Sequence, residues 1–166
     1  MKQLDYGIEG WWQGHVNFVD NVLLYGLRNG VCGNALPGIA IGASTVNAKT
    51  TNTVIYKAAG VLYSKAAGDV AFTAGAASNI AIGYETVFMM QIDKSGNILL
   101  IPGATALGAG NALYPELPAD GYAVIGSVRV YTATNAWIAG TTALSATGVT
   151  VTYQDGYPFP LFTAAQ

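Results

Sequence analysis

Charged residues are scarce in this sequence. Its 166 residues include 7 Lys and Arg and 9 Asp and Glu, or 10% of the chain, against about 25% in an average soluble domain. A compact monomer of 17.2 kDa exposes about 7,800 Å², so each charge would serve about 500 Å² of surface. Hydrophobic residues make up 52% of the chain. This balance predicts that much apolar surface is buried against other chains, in an obligate oligomer or a larger assembly.

Several segments that would indicate a location or a ligand are also missing. No apolar run reaches the eighteen or so residues of a membrane-spanning helix, and residues 1–15 lack the apolar segment of a signal peptide. The net charge is −2 and basic residues are not clustered, which argues against nucleic-acid binding. We therefore expect no membrane and no nucleic acid among the partners.

Residues that carry chemistry are few and scattered. Cys32 and His15 are the single cysteine and histidine, so an internal disulfide is impossible and a zinc site is not expected. No nucleophile elbow, dinucleotide-binding or phosphate-loop motif stands in the required setting. The acidic residues show no paired-carboxylate spacing, although sequence alone leaves open which of them meet in the fold. We predict a non-enzymatic protein with no catalytic residue, metal or cofactor.

The stretch from residue 53 to 73 predicts three short strands separated by small-residue turns. Gly60 and Gly68 supply the conformational freedom that tight reversals need. Apolar and polar residues alternate with period 2, the mark of half-buried strands. The side chains predicted to share the buried faces are Val54, Tyr56, Leu62, Ser64, Val70 and Phe72.

Further strand signals continue toward the C-terminus. Residues 84–102 hold two apolar strands around Asp93–Asn97, which resembles a calcium loop but fits a hairpin turn better, because a later bidentate Glu is missing. Residues 121–132 predict a long strand in which Gly126 marks either a bulge or a close approach of another segment. Weaker signals place strands at 38–46 and 149–153, a loop at 103–111, and a loop or a weak turn of helix at 137–147. We predict an all-β domain over residues 36–155, either an antiparallel β-barrel or a jelly-roll-like sandwich.

The two ends of the chain differ from this domain. Residues 1–35 form an arm in which Trp12, Val16 and Val19 follow helical spacing, predicting a helix over about 11–26. It either covers one end of its own domain or docks on a neighbouring molecule. Residues 29–34 are interpreted as a turn-rich linker. Residues 156–166 form an extended aromatic tail, because Pro158 and Pro160 fix the backbone.

Six segments together resemble a family of small structural proteins of tailed bacteriophages, which includes capsid decoration (cement) and head-fibre proteins. They are loose patterns of strands and turns that cover most of the chain. The segments are G-W-W-Q-x2-V-N-F at 10–18, Y-K-A-A-G-V-L-Y-S at 56–64, I-D-K-S-G-N at 92–97, L-P-A-D-G-Y-A-V-I-G-S-V-R-V at 117–130, A-G-T-T-A-L at 139–144 and G-V-T-V-T-Y at 148–153.

The resemblance implies a homotrimer on the capsid surface of a virion, bound to the major capsid protein and made in the host cytoplasm. We expect subunit or capsid contacts from the aromatic and apolar residues of the two ends. The alternative is a fibre or tail-associated receptor-binding module, with Asn135 and Trp137 in a distal ligand loop. The expected contact residues are Trp11, Trp12, Val16, Val19, Tyr157, Phe159 and Phe162.

Overall fold

The computed structural model of the chain describes residues 29–32, 36–72, 79–118 and 121–156. Every regular element in these ranges is a β-strand, and all pairings are antiparallel, which confirms the all-β prediction. The predicted helix and the aromatic tail lie outside these ranges. The strands are β1 Gly30–Cys32, β2 Ile39–Ile41, β3 Asn47–Thr50, β4 Val54–Ala58, β5 Val61–Lys65, β6 Gly68–Ala71, β7 Asn79–Ile80, β8 Tyr84–Asp93, β9 Ile98–Pro102, β10 Ala106–Leu107, β11 Tyr122–Thr132, β12 Trp137–Ile138 and β13 Val149–Asp155.

A five-stranded sheet forms the centre of the described structure. The long strand β8 pairs with β11 on one side and with β9 and β10 on the other, and β13 pairs with the far side of β11. The hairpin between β8 and β9 turns at Gly96, which has φ +82°, as predicted for this connection. The ladder between β8 and β11 shifts register between Val124 and Gly126, so the predicted bulge is confirmed.

Three smaller sheets accompany the central one in the described ranges. Their strand orders are β1-β4-β5, β2-β3-β6 and β12-β7. Inward side chains of these sheets join one face of the central sheet in a single apolar core. Three rings lie in this core, with centroids 5.0 Å apart between Phe72 and Phe88 and 5.2 Å apart between Phe72 and Trp137. Burial of this surface is the dominant favourable term in folding.

The three strands predicted between residues 53 and 73 are all present, as β4, β5 and β6. The prediction of a tight reversal at Gly68 is wrong, because Gly68 lies in β6, which pairs with β3 rather than β5. The face predicted for β5 is also wrong. Leu62 and Ser64 are exposed, whereas Tyr63 stacks on Tyr56 with ring centroids 5.5 Å apart. The first error arises because β5 and β6 belong to different sheets. The second arises because the register places Tyr63, and not Leu62, opposite the buried Tyr56.

Other local predictions need correction. The strand expected at 38–46 is shorter than predicted: β2 covers only Ile39–Ile41. The chain then reverses where the Asp69 carboxylate accepts hydrogen bonds from the N–H groups of Ala43 and Ser44, and β3 follows at Asn47–Thr50. The stretch interpreted as a linker at 29–34 contains β1, which pairs with β4. The loop at 103–111 contains β10, and the loop at 137–147 begins with β12.

The described sheets do not close into a barrel. The central sheet ends at β13 on one side and at β9 and β10 on the other, and no described strand joins these edges. The barrel alternative is therefore wrong for this part of the chain. The described part of the chain therefore consists of antiparallel sheets packed around one shared apolar core.

Candidate interaction surfaces

Most acidic side chains of the described residues bind the protein's own backbone. Besides Asp69, the Asp155 carboxylate accepts a hydrogen bond from Ile39 N at 2.6 Å. Asp93 accepts bonds from the N–H groups of Ser95 and Asn97, closing the hairpin turn. These contacts fix turns and strand ends, since a carboxylate bound to N–H groups satisfies donors that the sheets leave open.

Glu85 is the most deeply buried of these acids. Its Oε2 accepts hydrogen bonds from Gly110 N at 2.9 Å, from Ala112 N at 3.1 Å and from Arg129 Nη1 at 2.6 Å. Burial raises the pKa of Glu85, but these three bonds and the positive charge of Arg129 outweigh burial, so the pKa lies below its ordinary value. Glu85 is therefore ionised at neutral pH and holds one loop against the sheet.

That loop, residues 108–118, is here called the strap. Ala112 is its buried side chain, and the Tyr114 hydroxyl is 2.8 Å from Gln154 Oε1 on β13. The strap also passes so close to Gly103 that a Cβ there would overlap the Leu113 carbonyl oxygen. The strap thus lies across the central sheet, fastened at Glu85 on β8 and at Gln154 on β13.

The strap and the three-stranded sheet β1-β4-β5 lie on opposite faces of the central sheet. Successive residues of a strand point to opposite faces. On β8, Phe88 belongs to the apolar core together with Tyr56 of β4. Glu85 and Val87 point to the other face of β8, where the strap lies. Val87 is buried there but does not belong to the apolar core.

The strap presents a nearly uncharged apolar surface to solvent. Leu113 is 72% exposed and Leu117 is 66% exposed. Glu116 lies beside them, is also exposed and makes no hydrogen bond or ion pair within the described residues. These three side chains are here called the strap surface.

A second apolar surface covers the outside of the sheet β1-β4-β5. Val54 and Tyr56 of β4 point into the core, so Ile55 and Lys57 point outward. Lys57 is directly opposite Leu62 of β5. Ile55 and Leu62 are exposed, and Lys57 has no ion-pair partner in the described part of the chain. Ile55, Lys57 and Leu62 are here called the outer sheet surface.

These surfaces belong to a larger apolar exterior. Within the described residues, eleven large hydrophobic side chains are exposed. The eleven are Leu36, Ile55, Val61, Leu62, Ile82, Tyr84, Leu99, Leu107, Leu113, Leu117 and Ile138.

The structure corrects the expected ligand loop. Trp137 is fully buried between Phe72 and Phe88, so it cannot offer an exposed ring to a glycan. Asn135 is exposed, but its side-chain amide donates to the Thr147 carbonyl oxygen at 2.9 Å. The prediction of a loop did not include the pairing of Trp137 with Ile80. This pairing places Trp137 in the core.

The other expected contact residues lie outside the described ranges: Trp11, Trp12, Val16, Val19, Tyr157, Phe159 and Phe162. Sequence reasoning did not single out the leucines at 113 and 117. A signal was present in the sequence, because residues 98–118 contain three leucines after residue 106 and a single charge, Glu116.

The described residues contain no group of three or more His, Cys, Asp or Glu side chains placed to hold a metal ion. They also contain no helix long and apolar enough to cross a membrane. No protein-family model, curated protein or solved structure matches the chain.

Proposed function

We propose that the chain is a non-enzymatic structural protein of a bacteriophage virion, a capsid decoration protein that forms a homotrimer on the major capsid protein. The observation that carries the proposal is the shortage of charged groups on the described surface. Four of the five described acids bind backbone N–H groups, and Arg129 pairs with Glu85. Glu116 and four lysines remain beside eleven exposed hydrophobic side chains.

Such an exterior favours association. Apolar side chains left in water favour burial against another molecule, and obligate homo-oligomers have the most apolar interfaces. The resemblance of the sequence segments to phage decoration and head-fibre proteins supports the virion as the assembly. The proposed fold is a jelly-roll-like sandwich, supported by the packing of the smaller sheets on one face of the central sheet.

The proposed mechanism is stabilisation of the capsid by binding. A protein that binds the mature lattice and not its dissociated subunits shifts the equilibrium toward the intact shell. A trimer that touches several capsomers adds avidity, because its second and third contacts form within one complex. In this proposal the arm and the tail contribute capsid or subunit contacts through Trp11, Trp12, Val16, Val19, Tyr157, Phe159 and Phe162.

The test adds the purified full-length chain to heads of the phage that encodes it, after these have been stripped of the protein. We expect the chain to sediment with mature heads and to raise their melting temperature with occupancy. The double variant Trp11→Ala, Trp12→Ala is expected to bind less. Lys94→Ala, which truncates an exposed residue of the turn between β8 and β9, is the control. Absence of wild-type binding contradicts the proposed function, and full occupancy by the Trp variant contradicts the role of the arm.

A further inference from the structure

We propose that copies of the chain join by strand exchange, in which residues 157–162 of one copy add as an extra strand to β13 of a neighbouring copy. Residues 157–162 are here called the tail segment, and the side of β13 that faces away from β11 is called the free edge. This inference rests on the proposed self-association and names the two segments that carry it. The occupant of the free edge is the tail segment of a second copy.

The free edge presents unpaired backbone groups. In an antiparallel ladder, alternate residues direct their N–H and C=O groups to the partner strand, and the residues between them direct theirs away. Gly156 N donates to the Ile125 carbonyl oxygen at 3.0 Å, so the even-numbered residues of β13 face β11. Val151 and Tyr153 therefore direct their backbone groups to the free edge, where they bond no other described residue.

This edge is the longest unpaired strand edge in the described part of the chain. β13 has seven residues, and no other edge strand there has more than five. Proteins protect exposed edges with short strands, lysines, prolines or bulges. β5 ends in Lys65 and β9 in Pro102, whereas Val149–Asp155 contain neither residue type. Val151 and Tyr153 also pack their side chains against the core, so an added apolar strand would extend the core along this edge.

The tail segment has a hydrogen-bonding pattern that suits one side of a sheet. Proline has no N–H group, and residues two apart in an extended strand direct their N–H groups to the same side. The nitrogens of Pro158 and Pro160 therefore lie on one side. The N–H groups of Tyr157, Phe159 and Leu161 lie on the other. Such a strand can pair through one side only, so it adds to an edge as the outermost strand and blocks further growth of the sheet.

The same prolines disfavour a return of the tail segment onto β13 of its own chain. The N–H group of Gly156 still bonds to β11, so a tight hairpin would have to reverse within Gly156, Tyr157 and Pro158. Tyr157 precedes a proline, which disfavours the helical conformations that two- and three-residue hairpin loops need. Pro158 cannot take the positive φ that closes a three-residue loop. The free edge of another copy is reached without such a turn.

The strand that is given and the edge that receives lie side by side in each copy. β13 ends at Asp155, and the tail segment begins two residues later. Copies that exchange these segments therefore meet at one place and can gather around a single rotation axis there. Exchange of an identical segment between copies is a low-cost route to closed oligomers. Three copies around a threefold axis would satisfy every tail segment and every free edge, as the proposed trimer requires.

Removal of a single N–H group tests the pairing. Leu161→Pro deletes an N–H group that would face the free edge and leaves a carbonyl oxygen there without a donor. Leu161→Ala is the matched control, because it shortens the same side chain and keeps the N–H group. We expect the proline variant to have a dissociation constant about tenfold higher than the alanine variant. Sedimentation velocity over a concentration series provides the measurement.

A proline on the other side of the strand should be harmless. Ala164→Pro places its nitrogen on the same side as those of Pro158 and Pro160, so it should associate like the wild type. Circular dichroism verifies that every variant is folded. Equal association of the two Leu161 variants would overturn the strand exchange.

Cross-linking identifies whose edge the tail segment occupies. Two chains with different affinity tags, both carrying Cys32→Ser, are co-expressed. One has Thr152→Cys at an exposed position of β13, and the other has Thr163→Cys. A short bis-maleimide should join the two chains. Leu107→Cys replaces Thr152→Cys in the control and should not be joined, because Leu107 lies in β10 at the opposite edge of the central sheet.

Two results of this experiment would overturn the inference. One is a mixed sample that stays unjoined while a single chain with both Thr152→Cys and Thr163→Cys is joined internally, since the tail segment then lies on its own β13. The other is no joined product at all. In either case an oligomeric wild type that still binds heads leaves the proposed function standing. Chains that are joined as expected but do not bind heads would instead contradict the capsid role and leave the strand exchange in place.

Discussion

At the scale of single residues, Gly126 shows why one position tolerates no side chain. Its φ is +154°, and a Cβ there would overlap Ile39 Cδ1 and the Gln154 carbonyl oxygen. The bulge at this residue brings β2 and β13 against the middle of β11. Gly126 therefore serves both a backbone conformation that L-residues avoid and a close approach of neighbouring backbone.

Gly126→Ala should lower the free energy of unfolding by about 2–4 kcal/mol, the sum of backbone strain and overpacking. Urea denaturation followed by circular dichroism measures the change. Gly68→Ala is the control, because Gly68 has no positive φ and nothing within 4 Å of the added methyl group, so a change within about 0.5 kcal/mol is expected there. Equal losses in the two variants would contradict this account of the bulge.

Glu85 gives the second prediction at this scale, and it concerns pH. The pKa of Glu85 is lower in the folded protein than in the unfolded chain, where it is about 4.3, so folding favours the ionised form. The ionised Glu85 contributes fully to stability at a pH above its pKa in the unfolded chain. This contribution is lost as the pH falls through its pKa in the folded protein. Glu85→Gln should therefore be less stable than the wild type at neutral pH, and the difference should shrink as the pH falls below about 4.

Urea denaturation at a series of pH values measures this difference. The pKa of Asp93 is also lowered, first by the side-chain bond from Asn97, but that contribution is present in both proteins and cancels in the comparison. A difference between wild type and Glu85→Gln that stays constant from neutral pH to pH 3 would contradict the role of the ionised carboxylate.

At the scale of elements, the hairpin between β4 and β5 has a two-residue turn built from Ala59 and Gly60. Both have positive φ, +50° and +79°, and Ala58 pairs directly with Val61. Two positive φ values define a type I′ turn, which matches the twist of the strands and favours Asn-Gly. Ala59 therefore adopts a positive φ that is less favourable for Ala than for Asn.

Ala59→Asn should raise the free energy of unfolding by about 0.5–1 kcal/mol, because Asn tolerates the left-handed conformation better than Ala. Thermal and urea denaturation report it. Ala66→Asn, in the connection between β5 and β6 where φ is not positive, should bring no gain. If the Ala59 variant is no more stable than the wild type, the turn assignment does not govern the stability of this hairpin.

An element could be predicted from the sequence where its whole pattern lies within one short segment. Alternation and a Gly-containing turn were enough for the β8–β9 hairpin, because both partners lie within twenty residues. The pairing of β6 with β3 and the burial of Trp137 depend on contacts between distant segments, which a single sequence does not encode by pattern. The strap escaped prediction for the same reason, since its anchor Glu85 lies about 25 residues earlier and is ordinary in sequence.

At the scale of the whole molecule, most acidic side chains of the described residues bind groups of the chain itself. Asp69, Glu85, Asp93 and Asp155 secure turns and strand ends, so the surface is left with apolar patches and few ionic groups. A protein of average composition has enough acidic residues both to secure turns and to place charges on its surface. Here the low charge visible in the sequence and the burial visible in the structure lead to the same expectation, that the exterior is completed by other copies.

The most direct test of that expectation is the mass of the purified full-length wild-type protein in solution. Sedimentation equilibrium at moderate salt should give three times the chain mass of 17.2 kDa, with no monomer detectable until the protein is strongly diluted. A species of 17.2 kDa that persists at high concentration and stays soluble would show that the exposed leucines need no partner, and would contradict the account.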